Sequence, residues 1–294
     1  MELQQLKYFQ TVARLEHMSR AAVELYISQP SLSMTIARLE EDIGVPLFDR
    51  NGRHIRLNKF GKAFLRRVEI AFSQLEDGRR EVTDLAGFEH GIISLASLNL
   101  SLLADLLNSF RSKYPHMKFR FFQDTGPAMQ QQLENGTVDL CISSPPILGS
   151  GINSVPLLTE EIVLVVPAGH RLAEQGHLRL IDAANESFIN LKTGYPIRDR
   201  TDELCRQAGF IQNVTFEVNQ PGLIWNLVTS GYGIALMPIT AWKMLKNPSA
   251  AVLHITEPSC QRIIGLSWFE GRYISVAASH FRQFVIDYFM QFHK

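Results

Sequence analysis

The chain has 294 residues, of which 46% are apolar and 20% charged, and this composition excludes an intrinsically disordered protein. A single core rarely grows past about 250 residues, so the length predicts a small domain joined to a larger one. No apolar run approaches the roughly 18 residues that a membrane span needs, so we expect no transmembrane helix. The first residues, MELQQLKYFQ, lack the basic and apolar pattern of a signal peptide, so we expect a cytoplasmic protein.

The net charge is zero, but the charges are unevenly distributed along the chain. Residues 1–67 hold 11 basic against 7 acidic side chains, a net charge of +4. Residues 68–88 hold 2 against 5, or −3, and residues 89–294 hold 16 against 17, or −1. The positive excess at the N-terminal end predicts a nucleic-acid partner for that part of the chain.

The N-terminal segment is predicted to form three short helices. Apolar residues recur at helical spacing over residues 3–14, and Ser19 is a predicted N-cap for a second helix. Gln29 and Pro30 open a third helix, because proline is tolerated in a first helical turn. The apolar positions of this third helix follow one another at steps of four, three and four and form one buried stripe: Leu32, Ile36, Leu39 and Ile43.

The other faces of the third helix carry short polar side chains near its start, which suits a helix whose first half enters the major groove of DNA. The residues on these faces are Ser31, Ser33, Met34, Thr35 and Arg38. An alternative is a solvated face in an unrelated helical bundle.

A two-stranded hairpin is predicted to follow, with its turn at Asn51-Gly52. Arg50, Arg53 and Arg56 flank this turn and can follow the sugar-phosphate backbone or enter the minor groove. The three helices and the hairpin together predict a winged helix-turn-helix over residues 1–58.

A long helix is predicted from Lys59, with Asn58 as its N-cap. Apolar or small residues follow with steps of four and three, in a pattern typical of a coiled-coil seam: Phe64, Val68, Ala71, Leu75, Gly78, Val82 and Leu85. A helix of about 28 residues would be about 42 Å long and too exposed to stand alone, so we expect residues 59–88 to pair with a second copy. Packing of this helix on its own C-terminal domain is the alternative.

The C-terminal part, residues 89–294, alternates predicted strands and helices, which indicates a mostly parallel α/β architecture. The strands are predicted at residues 92–96, 118–122, 138–143, 161–167, 188–191, 215–218 and 263–268, with a further strand following residues 233–238. The helices are predicted at residues 101–114, 128–135, 197–208 and 223–230, with a last amphipathic helix that includes Phe281, Phe284, Val285 and Tyr288. We expect two lobes joined by two crossings, with lobe 1 at about 89–161 and 267–294 and lobe 2 at about 162–266.

Polar loops follow several predicted strands, at the carboxyl ends where α/β proteins bind ligands. The predicted effector-binding residues in these loops are Ser97, Asn99, Ser101, Thr125, Lys192, Thr193, Gly194 and Tyr195. Hydroxyl, amide and glycine groups beside helix N-termini suit an anionic metabolite, with Lys192 or Arg198 as a counter-charge. The alternative is that the hydroxyl residues only cap helices and turns.

No motif predicts an enzyme, a metal site or a cofactor. His170 lies in a loop without an acidic or cysteine partner at telling distance, and Glu160 and Glu161 are adjacent strand residues whose side chains point to opposite faces. The sequence lacks G-x-S-x-G, Walker and H-E-x-x-H patterns. Because the three cysteines (Cys141, Cys205 and Cys260) are far apart and outside any CxxC, we expect reduced, buried thiols.

The stretches LQQLKYFQTVA and SRAAVELYISQPSLSMTIARLEEDIGVPLFDRNGRHIRLNKFGKAFL resemble the LysR-type transcriptional regulators. Farther along, LENGTVDLCIS, EEIVLVVPAGHRLA and LVTSGYGIALMP are similar to the effector-binding domain of the same family, which is itself similar to periplasmic solute-binding proteins. The chain departs from this resemblance at Met34 and Thr35, where the family often has long polar or basic residues. Met34 can instead contact a thymine methyl group.

The resemblance implies a DNA-binding regulator that responds to a small-molecule effector and has no enzymatic activity. Its predicted partners are double-stranded DNA, the effector, RNA polymerase and further copies of itself, in a dimer or tetramer. The predicted DNA-binding residues are Gln29, Pro30, Ser31, Ser33, Met34, Thr35, Arg38, Arg50, Arg53 and Arg56. The alternative is a solute-binding or enzymatic α/β protein that uses its N-terminal helices only for oligomerisation.

Overall fold

A computed structural model of the chain describes residues 1–51, 54–86, 91–97, 103–245 and 249–291. Its internal contacts divide the chain into two compact units. One comprises Met1–Ala86 with Glu134–Thr137, and the other comprises Gly87–Leu133 with Val138–Lys294. Each unit has its own hydrophobic core.

The first unit begins with the winged helix-turn-helix that the sequence predicts and continues into one long helix. Its elements are α1 (Leu3–Leu15), α2 (Met18–Glu24), α3 (Gln29–Ile43), β1 (Phe48–Asn51), β2 (His54–Leu57) and α4 (Lys59–Leu85). The strands β1 and β2 pair in antiparallel register, with Phe48 opposite Leu57. The predicted elements of this segment are therefore confirmed.

The core of this unit lies between α1, α3 and the start of α4. Phe9 is fully buried, and its ring makes an edge contact with Phe48 at 5.5 Å between centroids. The predicted stripe on α3 is buried at Leu32, Ile36 and Leu39. Ile43 is packed against the same core but is only partly buried.

The two predicted N-caps, Asn58 for α4 and Ser19 for α2, have different outcomes. The Oδ1 atom of Asn58 accepts hydrogen bonds from the N–H groups of Phe60 and Gly61, both at 2.9 Å, so its predicted capping role is confirmed. The predicted cap at Ser19 is wrong, because α2 begins at Met18, two residues before the start that a cap at Ser19 implies. His17 is the N-cap there, and its Nδ1 accepts from the N–H of Arg20 at 3.3 Å.

The second unit contains strands and helices in alternation. Its elements are β3 (Ile92–Ser97), α5 (Ala104–Lys113), β4 (Lys118–Phe122), α6 (Gly126–Asn135), β5 (Leu140–Ser143), β6 (Ile152–Pro167), β7 (His177–Arg179), β8 (Ser187–Leu191), α7 (Pro196–Gln207), β9 (Asn213–Val218), α8 (Pro221–Thr229), β10 (Ala235–Pro238), α9 (Ile239–Leu245), β11 (Ala250–Glu257), β12 (Gln261–Phe269) and α10 (Val276–Met290). Each predicted strand and helix of this unit overlaps one of these elements, except the strand predicted to follow residues 233–238. There the strand β10 lies within residues 235–238, and the helix α9 follows it.

The sheets are mixed, so the prediction of a mostly parallel sheet is wrong. The pairs β3–β4, β3–β5, β8–β9 and β7–β11 are parallel. The pairs β5–β12, β6–β12, β6–β11 and β6–β10 are antiparallel. The antiparallel pairs arise because β6 and β12 are long strands that run through the sheet against each other, from Ile152 opposite Phe269 to Glu161 opposite Gln261.

Two lobes surround these long strands, each with a buried core. One core includes Phe110, Phe281 and Leu266, while another includes Ile162, Phe188 and Leu253. Ile264 and Leu266 of β12 pack in the first of these cores. β6 and β12 are the two crossings between the lobes.

Three elements, β7, α9 and β11, were not predicted from the sequence. The strand β11 begins with two alanines and does not alternate apolar with polar residues, since its burial is set by β6 on one side and β7 on the other. The helix α9 has only 7 residues, too few for a helical period to be read. Within the described residues, no helix combines the length and apolarity that crossing a bilayer requires.

Candidate nucleic-acid interface and effector-binding edges

The third helix presents a capped, polar N-terminus. The hydroxyl of Ser28 accepts from the N–H of Ser31 at 3.3 Å, and Pro30 lies in the first turn. Because the opposite stripe of α3 is buried in the core, the orientation of its exposed residues is fixed. Gln29, Pro30 and Ser31 are all exposed at this end of the helix.

Farther along α3 the predicted DNA-binding residues differ in accessibility. Met34 is 56% exposed, and Arg38 is exposed one turn later. Ser33 is only half-buried, and the hydroxyl of Thr35 donates to the carbonyl of Ser31 at 2.9 Å within the helix. Met34 and Arg38 are therefore the two predicted residues in these turns whose side chains are exposed.

The wing is anchored to the helices by two carboxylates, that of the half-buried Glu40 and that of the exposed Glu16. Glu40 Oε1 accepts from the N–H groups of Leu47 at 2.8 Å and Phe48 at 3.2 Å, at the start of β1. Glu16 Oε1 accepts from the N–H of Leu57 at 3.0 Å, at the end of β2. Since both ends of the hairpin are held in this way, its position beside α3 is fixed.

Of the three arginines predicted in the wing, Arg56 is exposed on β2. The backbone of Arg50 belongs to β1, but its side chain lies outside the part of the chain that the structure describes, as does the whole of Arg53. The wing therefore presents at least one cation on its outer surface.

The long helix α4 has two different apolar surfaces, and this corrects the prediction of one continuous seam. Val68 is only 2% exposed and packs in the core of the winged domain, together with Phe64. Leu75, Val82 and Leu85 are 55%, 67% and 82% exposed. Only the second half of the predicted seam is thus available to a second copy, because the first half is covered by the winged domain itself.

The predicted effector residues of lobe 1 lie at one edge of its sheet. Ser97 ends β3 and is 2% exposed, with Ile142 of β5 beside it in parallel register. Phe122 pairs with Ala96, so the loop after β4 leaves from the same edge, and the carbonyl of Thr125 accepts from the N–H of Met129 at the start of α6. Asn99 and Ser101 lie outside the described residues.

In lobe 2 the loops after β8 and β9 are tied together. The N–H of Lys192 donates to the carbonyl of Val218 at 2.8 Å, and the hydroxyl of Tyr195 donates to the carbonyl of Asn219 at 2.9 Å. Lys192, Thr193 and Gly194 are exposed at this edge, and Gly194 has a φ of 94°, which favours glycine. Lys192 thus remains a cation at the mouth of this edge.

Arg198 does not serve as the free counter-charge that was predicted. Its guanidinium is 11% exposed and donates to Asp202 at 2.7 Å and to the carbonyl of Leu191 at 2.9 Å, with Glu217 at 3.6 Å. These acceptors already satisfy the group, so it holds α7 against β8 and β9.

The side chains that were considered as catalytic candidates, those of Glu160, Glu161 and His170, pair with other side chains of the effector domain. As predicted, Glu160 and Glu161 face opposite sides of β6: Glu160 pairs with Arg262, and the carboxylate of Glu161 accepts from Nδ1 of His254 at 2.8 Å. His170 does have an acidic partner, Glu186 at 3.1 Å, which the sequence did not indicate because 16 residues separate them. This corrects the expectation that His170 stands without an acidic neighbour.

The three thiols are buried, as predicted. Burial raises the pKa of Cys141 to about 12, that of Cys205 to about 12 and that of Cys260 to about 11. At neutral pH they are therefore protonated and poor nucleophiles.

A buried brace at the crossing of the lobes was not predicted from any sequence pattern. The carboxylate of Glu160 is 1% exposed and accepts from Arg262 Nε at 2.6 Å, and it also accepts from the N–H of Thr240 at 3.0 Å and from the hydroxyl of Thr240. Glu160 and Arg262 are register partners on β6 and β12. The brace therefore joins both crossing strands to α9 of lobe 2.

Comparison with known families identifies both units. Residues 3–62 match the model of the bacterial regulatory helix-turn-helix protein of the lysR family, and residues 90–290 match the LysR substrate binding domain. The chain belongs to the LysR family. It is accordingly a DNA-binding transcriptional regulator with a ligand-binding effector domain.

Curated relatives match along their whole length. The uncharacterized HTH-type transcriptional regulator YybE of Bacillus subtilis is 38% identical over 294 residues, covering 99% of this chain and 100% of the relative. The transcriptional dual regulator GltC of the same organism is 32% identical over 293 residues, covering 98% of each. Both names describe transcriptional regulators rather than enzymes.

Solved LysR structures show the same fold. Full-length CbnR complexed with its target DNA superposes with a TM-score of 0.71 at 23% identity, covering 97% of this chain and 99% of that one. The effector-binding domain of QuiR in complex with shikimate superposes with a TM-score of 0.62 at 27% identity, covering 69% of this chain and 99% of that one. The predicted fold, a winged helix-turn-helix, a linker helix and a two-lobed α/β domain, is therefore confirmed.

Proposed function

We propose that this LysR-family regulator reads operator DNA with the exposed residues of α3 and the wing and responds to a small anionic metabolite held between its two lobes. The observation that carries the effector proposal is the composition of the two strand edges. Ser97 and Thr125 lie at the carboxyl edge of lobe 1, and Lys192 and Thr193 lie at that of lobe 2. Hydroxyls, free helix N–H groups and one cation are the groups that hold a carboxylate.

For DNA we propose a division of roles within the interface. Gln29, Ser31 and Met34 face the base edges, whereas Arg38 and Arg56 neutralise phosphates. Pro30, Ser33 and Thr35 complete the predicted surface of α3, with Arg50 and Arg53 on the wing. A methionine in the groove favours contact with a thymine methyl group over a hydrogen bond to a base.

Because two copies would place two winged domains on adjacent half-sites, we propose that the chain forms a dimer or tetramer. We further propose that it is a cytoplasmic protein and that it contacts RNA polymerase when bound to DNA. The exposed apolar residues Leu75, Val82 and Leu85 support pairing through the second half of α4. Domain limits at residues 58 and 88 fit this assignment, since α4 spans Lys59–Leu85.

The effector proposal is tested by calorimetry of the full chain against a panel of small carboxylates and amino acids, followed by variants. For a carboxylate that binds, Ser97→Ala, Thr193→Val and Lys192→Met should each lower affinity about ten-fold or more, because each removes a hydrogen bond or charge to the anion. Ser112→Ala on α5 and Lys118→Met on β4 are matched controls away from both edges.

The expected functional signature is loss of the effector response with DNA binding intact in the absence of effector. If the three variants keep wild-type affinity for a carboxylate that binds the chain, the ligand is held elsewhere and the proposed edges are wrong. If cations or neutral compounds bind and carboxylates do not, the anionic class is wrong although the family assignment stands.

A further inference from the structure

Among the described residues other than glycine, Glu16 and Tyr26 have a left-handed backbone, with φ values of 43° and 55°. This region is unfavourable for L residues, because the Cβ atom approaches the following carbonyl oxygen. A bulky residue is kept there only when something compensates for the strain.

For Glu16 the compensation lies within the domain. Its carboxylate accepts from the N–H of Leu57 at 3.0 Å and so holds the end of the wing. The side chain of Glu16, which the left-handed backbone directs towards the end of β2, therefore has a structural role.

For Tyr26 the domain offers no such role. The side chain is 95% exposed, and within the described part of the chain neither its ring nor its hydroxyl makes a hydrogen bond or ring contact. The turn is closed by the backbone alone, through Tyr26 N–H to the carbonyl of Val23 at 3.1 Å and Ile27 N–H to that of Ala22 at 3.0 Å. Glycine or asparagine would form this turn with less strain.

The position of Tyr26 indicates what the exposed phenol contacts. It lies two residues before Ser28, the N-cap of α3, and the residues from Ser28 to Ser31 that follow are all exposed. In a helix-turn-helix this end of the recognition helix enters the major groove, so the preceding turn lies beside the phosphates that border the groove. Tyrosine hydroxyls are regular donors to phosphate oxygens.

We propose that Tyr26 is a DNA-contacting residue whose hydroxyl donates a hydrogen bond to a backbone phosphate beside the groove that receives α3. The inference rests on the DNA interface proposed above and adds to it a neutral contact from the turn. The strained backbone holds the phenol outward, so the contact helps to fix the depth and register of α3 on the duplex.

A neutral contact has a signature that an arginine contact lacks. Losing one neutral hydrogen bond should weaken binding about two- to ten-fold. Because tyrosine releases no counterion, the dependence of affinity on salt should keep its slope, whereas removing Arg56 should flatten that slope by about one unit. A phosphate contact should also be lost equally on operator and on unrelated DNA.

The test compares the full-length wild type with Tyr26→Phe and Tyr26→Gly. Fluorescence anisotropy is measured on a duplex taken from immediately upstream of the chain's own gene and on a random duplex of equal length, over a salt series. Tyr232→Phe is the matched control, since Tyr232 is a 57% exposed tyrosine of the effector domain. Circular dichroism follows the thermal stability of each protein.

The expected result is that Y26F and Y26G bind both duplexes two- to ten-fold more weakly with unchanged salt slopes, while Y232F binds normally. The melting temperature of Y26G should be equal to or above that of the wild type, because glycine relieves the strain. Weaker binding by Y26G together with normal binding by Y26F overturns the hydroxyl contact.

Two other outcomes also overturn the inference. One is normal DNA binding by both variants, which leaves the proposed DNA interface standing. The other is a change of molecular mass by light scattering without a change of affinity, which places Tyr26 between copies of the chain. If the wild type itself retains no DNA at low salt, the proposed interface fails before Tyr26 is tested.

Discussion

Replacing Arg262 with methionine should destabilise the effector domain strongly, because it leaves the carboxylate of Glu160 buried without its cation. The carboxylate is only 1% exposed, so water cannot replace the cation that it loses. Breaking one side of a buried ion pair costs about 3–5 kcal/mol. At about 2–4 °C per kcal/mol for a domain of this size, the melting temperature should fall by about 6–20 °C.

The companion variant Glu160→Gln should cost less. Glutamine keeps an acceptor for the N–H and hydroxyl of Thr240, while Arg262, which is partly exposed, can reach water. In the double variant Glu160→Gln with Arg262→Met no charge remains buried. Its loss of stability should therefore be smaller than the sum of the two single losses by about 1 kcal/mol or more.

Tryptophan fluorescence during urea unfolding measures this domain selectively in the full-length protein, since Trp225, Trp242 and Trp268 all lie in it. Arg179→Met is the control, because Arg179 and Asp182 form an ion pair that is 61% and 38% exposed. Breaking that pair should cost about 1 kcal/mol or less.

The reasoning is refuted if Arg262→Met costs no more than Arg179→Met. It is also refuted if the losses of the two single variants simply add in the double variant. Either result would mean that water reaches the crossing strands in solution.

Three further predictions follow from the corrected geometry. Leu75→Asp should dissociate the dimer and leave the stability of the winged domain unchanged, whereas Val68→Asp should unfold that domain. Light scattering measures the dissociation and circular dichroism the unfolding, and equal effects of the two variants would contradict the division of α4 into two surfaces. Arg56→Ala should weaken binding to all DNA and flatten the dependence of affinity on salt by about one unit of slope, while Met34→Ala should change the order of preference among operators. Fluorescence anisotropy on several duplexes measures both effects. The same changes of affinity in both variants would contradict the proposed roles of Arg56 and Met34. Burial raises the pKa of Cys141 from 9.0 to about 12, so the unfolded chain ionises first. Its contribution to stability is complete below about pH 9 and is lost as the pH rises towards 12. Between about pH 8 and pH 10 the free energy of unfolding should therefore fall more steeply for the wild type than for Cys141→Ala, and parallel curves would count against the buried thiol.

Local patterns in the sequence were enough for the winged domain and the linker. The stripe of α3, the cap at Asn58 and the turn between β1 and β2 depend on residues a few positions apart. Helical period, capping and turn chemistry are properties of such short stretches, so they can be recognised without knowledge of the rest of the chain.

Only the tertiary structure decided which neighbours each side chain has. Val68 and Leu75 are equivalent in the seam pattern, yet the winged domain covers one and leaves the other exposed. Arg198 lies near Glu217 of β9, and His170 contacts Glu186; the sequence pattern revealed neither neighbour.

The sheet itself shows the same division. The strands β3, β4 and β5 could be predicted from their own residues, but their partners could not, because pairing depends on where the chain returns. The antiparallel crossing of β6 and β12 brings Glu160 opposite Arg262, 102 residues apart in sequence. That contact exists because two distant strands share a register, and no local pattern encodes it.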